Sequence, residues 1–339
     1  MELKELIIAL SDANGVTGLS GAIKVAETEL QKFGRVEHDH MGGISAIIEG
    51  NSDYTIMLDA HIDEIGMIVT EIDGDFIRVS KCGGIDTRVL ISQEVVIHGK
   101  EDIFGVFCSV PPHIKSDKNT VPELNEMAID VGLKHDQITE TISVGDRVSF
   151  KQNCVELINS RLTGKSLDNR AGCAAIIEAV KLVLKNGKPN CNIILSLSAQ
   201  EELGLRGART SAFKYSPNEA IVVDVSFGAY PGVTKQQSGK LGNGPMIGIS
   251  PITDRYMTAK LRDLADENNI NYQCEVCGGT TGTNADVISI TKSGIPTALI
   301  SIPLLNMHTP TEVISVTDVE NTAKLIAEYI RKAGKQVYV

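Results

Sequence analysis

Two stretches of this chain place residues that could do chemistry at the ends of apolar runs. In Ser196-Leu197-Ser198-Ala199-Gln200-Glu201-Glu202-Leu203-Gly204, two adjacent carboxylates follow a mostly apolar segment, Cys191 to Leu197. Neighbouring acids at the end of a buried strand are costly unless a positive charge sits there. On extended backbone adjacent side chains point opposite ways, so one acid could grip a cation while the other faces a reacting water. The competing reading is a solvated loop, because acids are mostly exposed. In Leu58-Asp59-Ala60-His61-Ile62-Asp63-Glu64, His61 and Asp63 are two apart and share a face of an extended chain. A carboxylate beside a histidine can hold its other ring nitrogen and fix the tautomer for metal binding. A lone histidine is otherwise a structural or surface residue.

Three further positions join them. Asp168 opens an expected helix, where a capping role competes with a functional one. Asp224 interrupts the apolar strand Ala220 to Ser226, and a buried Asp needs a partner. His308 follows the apolar run Pro296 to Ile302. Two histidines and three carboxylates suit a pair of borderline ions such as zinc or cobalt. A shared carboxylate can bridge two such ions and hold a hydroxide for hydrolysis, with the leftover glutamate as general base.

The elements that must position these residues alternate strand and helix. Strands are expected at Ile44 to Ile48, Tyr54 to Leu58, Cys191 to Leu197, Ala220 to Ser226, Met246 to Ile249, Tyr272 to Val276 and Pro296 to Ile302. Helices are expected at Leu3 to Leu10, Ala22 to Phe33, from Asp168 to about Asn186, Asp254 to Glu267 and Val319 to Lys332. Sites in such sheets gather at the carboxyl ends of the strands. Between about Thr70 and Leu162 the texture changes to short alternating runs punctuated by turns such as Asp73-Gly74-Asp75 and Gly83-Gly84. That stretch reads as a small all-β unit with one short helical segment near Val121 to Val131. The expected organisation is a discontinuous α/β catalytic domain, 1–69 and 163–339, carrying an inserted β domain, 70–162.

Composition removes several function classes. The 339 residues are 42% hydrophobic and 22% charged, with net charge -11. Acidity argues against phosphate-driven binding to nucleic acid and against anionic membrane. No apolar run nears the roughly 18 residues that span a bilayer. The start, Met1-Glu2-Leu3-Lys4-Glu5-Leu6, lacks the layout of a signal peptide, so a cytoplasmic protein is expected. Seven cysteines, several of them in apolar elements, read as core residues of a reducing compartment. Cys274 and Cys277 form an isolated C-x-x-C with no second pair for zinc. The loop Gly278 to Asp286 lacks nucleotide-binding glycine spacing.

The motifs Ala60-His61-Ile62-Asp63-Glu64-Ile65-Gly66, Asp168-Asn169-Arg170, Gln200-Glu201-Glu202-Leu203-Gly204-Leu205-Arg206-Gly207 and His308-Thr309-Pro310-Thr311-Glu312 resemble those of the cytosolic dinuclear metallo-aminopeptidases of peptidase clan MH. The group is the tetrahedral type, with glutamyl, leucyl and lysyl aminopeptidases, some labelled endoglucanase M. The resemblance covers nearly the whole chain. It implies a three-layer α/β/α, phosphorylase/hydrolase-like catalytic domain with a barrel or PDZ-like dimerisation insert. It implies two divalent ions, zinc or cobalt. His61, Asp168 and Asp224 would bind one, and Asp168, Glu202 and His308 the other. Glu201 would be the general base, Asp63 would orient His61, and the Asp168-Asn169 peptide bond would be cis. Short peptides would be the substrates, and dimers would build a hollow dodecamer. Three departures from the pattern are Asn169 for Asp, Thr309 for Ser, and a rearranged loop around Asn284 and Asp286.

Rival functions are a dinuclear deacylase of N-acyl amino acids, a glycosidase and an inactive scaffold. A glycosidase needs a carboxyl pair without metal histidines, and sugar clefts usually present aromatic platforms. This chain has no Trp and 4% aromatic residues. All the expected ligands and Glu201 are present, which opposes the scaffold reading.

Overall fold

The computed structural model of the protein describes residues 1–111, 113–114 and 121–333. The chain opens with helices α1 (Leu3–Asp12) and α2 (Gly21–Leu30), then strands β1 (Arg35–His38), β2 (Ile44–Ile48) and β3 (Thr55–His61). Six strands follow: β4 (Gly66–Asp73), β5 (Phe76–Cys82), β6 (Glu94–His98), β7 (Asp102–Ser109), β8 (Met127–Asp130) and β9 (Arg147–Phe150). Helix α3 (His135–Thr141) lies between the last two. Short strands β10 (Val155–Leu157) and β11 (Arg161–Gly164) lead to helix α4 (Leu167–Leu184) and strand β12 (Asn192–Ser198). Next come α5 (Arg206–Tyr215), β13 (Glu219–Phe227), β14 (Met246–Ile249), α6 (Arg255–Glu267) and β15 (Gln273–Val276). The chain continues through α7 (Ala285–Ile288), β16 (Thr297–Leu304), β17 (Glu312–Ser315) and α8 (Val316–Lys332).

Eight strands form one sheet in the order β1-β2-β12-β3-β13-β16-β14-β15. Its centre, β12-β3-β13-β16, is parallel throughout. Parallel strands covered on both faces read as continuous apolar runs. β3 accordingly buries every residue after Thr55. Helices α4, α6 and α8, with α1 and α2, share one core with one face of the sheet. Residues of α5 and α7 form the core on the other face with Met57, Ile194 and Val222. The result is three layers, helix on sheet on helix. α8 shows why the sequence folds this way: Val319, Ala323, Ile326 and Ile330 recur at helical spacing and all are buried.

Strands β4 to β9 close a barrel in the order β4-β5-β8-β7-β6-β9 around a separate apolar core that includes Met67, Ile77, Val95, Ile97 and Phe107. Closure removes the exposed edges that an open six-stranded sheet would leave. The expected helical segment near Val121 to Val131 is corrected here. Leu124–Glu126 makes one short 3-10 turn, and Met127–Asp130 is a barrel strand paired with β5 and β7. Leu124, Met127 and Ala128 have helix-compatible spacing, but the barrel needs a strand there. The helix of this unit falls later, at His135–Thr141.

Candidate metal centre

β3 and β12 run parallel with Ser198 beside His61, so both strands end at the same edge of the sheet. His61 is the last residue of β3, and the turn after β12 carries Glu201 and Glu202. Asp224 comes from neighbouring β13, and His308 from the segment after β16. Asp168 lies at the start of α4 in non-helical backbone, and its bond to Asn169 is cis. The parallel order thus brings together side chains up to 247 positions apart in sequence, from His61 to His308.

The Asp168 carboxylate faces both histidines. Its Oδ1 is 3.1 Å from His61 Nε2, and its Oδ2 is 3.3 Å from His308 Nε2. Asp224 Oδ1 lies 3.7 Å from His61 Nε2, and Glu202 Oε1 lies 3.6 Å from His308 Nε2. Ligand arms of about 2.0 Å in a tetrahedron put ligand atoms about 3.3 Å apart. The spacings around Asp168 lie in the range of such a donor set. Three groups could each hold a cation: His61, Asp168 and Asp224; Asp168, Glu202 and His308; and His61, Glu201 and Glu202.

The charge balance points the same way. Among the described residues, Asp168, Glu201, Glu202 and Asp224 make ion pairs only with the two histidines. Burial pushes the Glu201 carboxyl up to about 7, and repulsion from Asp168 and Asp63 adds to it. Burial and Asp168 push Glu202 up to about 8. Burial likewise raises Asp224 well above the carboxylate range. Burial would raise Asp168 too, but hydrogen bonds to His308 and His61 hold it low. The bond to Asp168 raises His308 to about 9. Burial disfavours charge on His61, yet Glu201, Asp168, Asp63 and Asp224 together lift it well above its ordinary value. So many raised groups mark a cluster short of positive charge, which a bound cation would supply.

Asp63 does more than its spacing indicates. Its carbonyl oxygen is 3.2 Å from His61 Nδ1, and its carboxylate Oδ1 is 3.6 Å away. The same carboxylate accepts from the backbone N–H groups of Glu201 (3.1 Å) and Glu202 (3.3 Å). It therefore ties the His61 strand end to the two-glutamate turn.

Sequence reasoning missed several supports. Glu312, buried at the start of β17, accepts from Asp168 N and His308 N, both at 2.9 Å, and so fixes two proposed ligands at once. Glu64 accepts from Gly15 N at 2.6 Å and Lys165 Nζ at 2.7 Å and bonds the Ser166 hydroxyl, joining β3 to the turn before Asp168. Glu64 and Glu312 both lie inside the quoted motifs, which is the signal that could have found them.

The departures also acquire reasons. Asn169 Nδ2 donates to Val223 O at 2.8 Å while its Oδ1 accepts from Gly172 N at 3.1 Å. Asn169, rather than Asp168, caps α4, and only an amide can do both jobs. Thr309 Oγ1 donates to Asn306 O at 2.7 Å, closing the turn around His308. In the glycine-rich loop, Asp286 accepts from the backbone N–H groups of Thr281 and Gly282. Asn284 Nδ2 donates to Asp59 Oδ2 and Ser198 Oγ, beneath His61. Cys274 and Cys277 carry free thiols, as do the other five cysteines.

The barrel reaches the site. Its loop after β5 lines a cleft of about 630 Å³ through Asp86, Arg88 and Val89, opposite Phe227, Tyr230 and Met307.

A parallel-centred sheet delivering histidines and carboxylates to one edge defines a hydrolytic enzyme of the three-layer α/β class. The chain belongs to the M42 glutamyl aminopeptidase family, whose model matches residues 42–325. It is an aminopeptidase, a hydrolase of peptide bonds. It is 32% identical to a lysyl aminopeptidase of Pyrococcus furiosus over 96% of this chain and 94% of that one. An aminopeptidase from Desulfurococcus kamchatkensis superposes with TM-score 0.91 at 31% identity, covering 98% of this chain and 95% of the other. The TET1 peptidase of Pyrococcus horikoshii, described as assembling into a tetrahedron or a large octahedral shell, gives TM-score 0.86 at 28% identity, over 98% and 100% of the two chains. Among the described residues no helix is long and apolar enough to cross a membrane.

Proposed function

We propose that the protein is a dinuclear metallo-aminopeptidase that removes N-terminal residues from short peptides. His61, Asp168 and Asp224 would hold one divalent ion, and Asp168, Glu202 and His308 the other. Zinc or cobalt suits this mix of imidazole and carboxylate. The observation that carries the reading is Asp168, whose two oxygens face two separate histidines at 3.1 and 3.3 Å. Such a pair of ions, when bound, would polarise a scissile carbonyl and acidify the attacking water.

The chain's own residues supply the rest. Glu201 Oε2 is 3.9 Å from His61 Nε2, beyond hydrogen-bond reach, so this carboxylate is available to a water. Glu201 takes the proton from that water and returns it to the leaving amine. Asp63 holds the Glu201 and Glu202 backbone and thereby aims both side chains. Glu312 holds Asp168 and His308 in the same way.

The barrel, whose strands run from Gly66 to Phe150, would form the assembly domain expected as the 70–162 insert in a catalytic domain of 1–69 and 163–339. The tetrahedral and octahedral shells of the Pyrococcus horikoshii peptidase support a large homo-oligomer, with the dodecamer as the form to seek. Seven free cysteines suit a reducing, cytoplasmic setting.

The test is release of N-terminal residues from unblocked peptides and their N-acetylated twins, with metal removed and restored. Unblocked peptides should be cut only by the restored enzyme, and the acetylated twins should resist. Preferential cleavage of acylated substrates would replace this reading with a deacylase. Glu201→Gln should lower turnover by about 10²- to 10⁴-fold, the usual weight of a general base, while both ions stay bound. Full activity in that variant would remove Glu201 from the mechanism.

A further inference from the structure

The glycine pair after barrel strand β5 stands against two of the proposed ligands. A Cβ on Gly84 would lie 2.9 Å from His308 Nδ1 and 3.2 Å from its Cε1. A Cβ on Gly83 would lie 3.0 Å from Glu202 Oε2 and 3.3 Å from Glu202 Cβ. Gly83 also has φ +89, which alone favours glycine, whereas Gly84 has no such backbone requirement. The space that His308 occupies is therefore the reason on this side for glycine at 84.

His308 needs a backing. Its side chain is 34% exposed, against 2% for His61. Its backbone N–H is held by Glu312, and among the described residues its ring makes ion pairs with Asp168 and Glu202 alone, so what stands behind Nδ1 matters. The turn that stands there is itself fastened: Lys81 Nζ donates to Ile85 O at 2.7 Å across Gly83 and Gly84. We propose that the Gly83-Gly84 turn of the barrel gauges the ring position of His308, and so sets cation affinity at the Asp168, Glu202 and His308 position alone. This rests on the two-ion reading above. Gly84 acts as a positioning residue, and the barrel becomes a wall of the catalytic site as well as a candidate for assembly.

The nearest obstacle to an alanine at 84 is the edge of a ring one-third exposed, which has room to swing toward solvent. That swing carries Nε2 away from Asp168 and Glu202. Full-length wild type and Gly84→Ala are stripped of metal and titrated with Co²⁺, followed by its visible absorption and by heat. Wild type should bind two ions. Gly84→Ala should bind the first as wild type does and the second about 10- to 100-fold more weakly, the usual effect of disturbing a ligand's support. Its activity should return at raised metal with the peptide KM unchanged. Fewer than two ions in wild type would sink the two-ion reading itself. Two ions in wild type, with Gly84→Ala unchanged or weakened equally at both steps, would overturn this proposal and leave that reading standing. Lys81→Met loosens the turn without adding an atom against His308, and it is read by the same criterion should Gly84→Ala not fold. A selective loss at the second step supports the gauge, and no loss or an even loss refutes it.

Discussion

The two histidines approach opposite oxygens of Asp168, but the molecule builds the two ends of the site differently. His61 closes a strand that is buried along its length, and its side chain is 2% exposed. Its second nitrogen faces Asp63. His308 lies beyond its strand, on backbone with φ 60, and is one-third exposed with a barrel turn behind it. The first end is defined by the sheet with Asp63 and Asp168, while the second is assembled from a loop, Glu312 and the barrel. The His61 end is thus fixed by buried groups, and the His308 end is the more open to adjustment.

The shared element should show the largest effect. Asp168→Asn removes a charged ligand from both positions and should cost both ions and on the order of 10³-fold or more in turnover. Retention of one tightly bound ion would mean that Asp168 does not bridge. The histidines should then separate the ends. In metal-free protein His61→Ala leaves buried acids without their counter-charge, a loss of about 3–5 kcal/mol for a broken buried pair. His308→Ala, at a one-third-exposed position where solvent replaces part of the lost interaction, should cost less than His61→Ala. Urea unfolding measures both, and equal losses would break the comparison. An effect smaller than that of His61→Ala is expected from Asn169→Asp, which sets an acceptor against Val223 O and should cost about 1–3 kcal/mol. A neutral result would show that the amide is dispensable.

The His61 end is also the more legible in sequence. The apolar run Tyr54 to Leu58 ends just before His61, and the run to Leu197 stops before Glu201, because the strands end where the site begins. His61-x-Asp63 shows its alternation directly, although the bonds of Asp63 to the Glu201 and Glu202 amides depend on strand order, which no local pattern encodes. At the other end the sequence is quieter. Glu312 looks like one acid among threonines, and Gly83-Gly84 looks like an ordinary turn. Their work depends on contacts between segments more than 100 residues apart, Gly83 with Glu202 and Glu312 with Asp168. The barrel is legible as alternating strands, but Met127–Asp130 is not, since its helix-like spacing yields to ladder pairing on both sides.

Acidity gives the mildest probe. In the metal-free protein Glu201 is raised from 4.5 to about 7, Glu202 from 4.5 to about 8, and His308 from 6.5 to about 9. A group whose folded value exceeds its unfolded value stabilises the fold fully below the unfolded value. That stability is lost as pH rises through the folded value. All three therefore act in one direction, and chelated protein should melt several degrees lower at pH 9 than at pH 6.5. Asp168, held low, acts only in acid and does not enter this window. A bound cation takes the place of the protons, so the loaded protein should change less over the same range. His308→Ala should flatten the upper part of the chelated curve, near 9. Parallel curves for chelated and loaded protein would mean that these protons and the cation do not share a site.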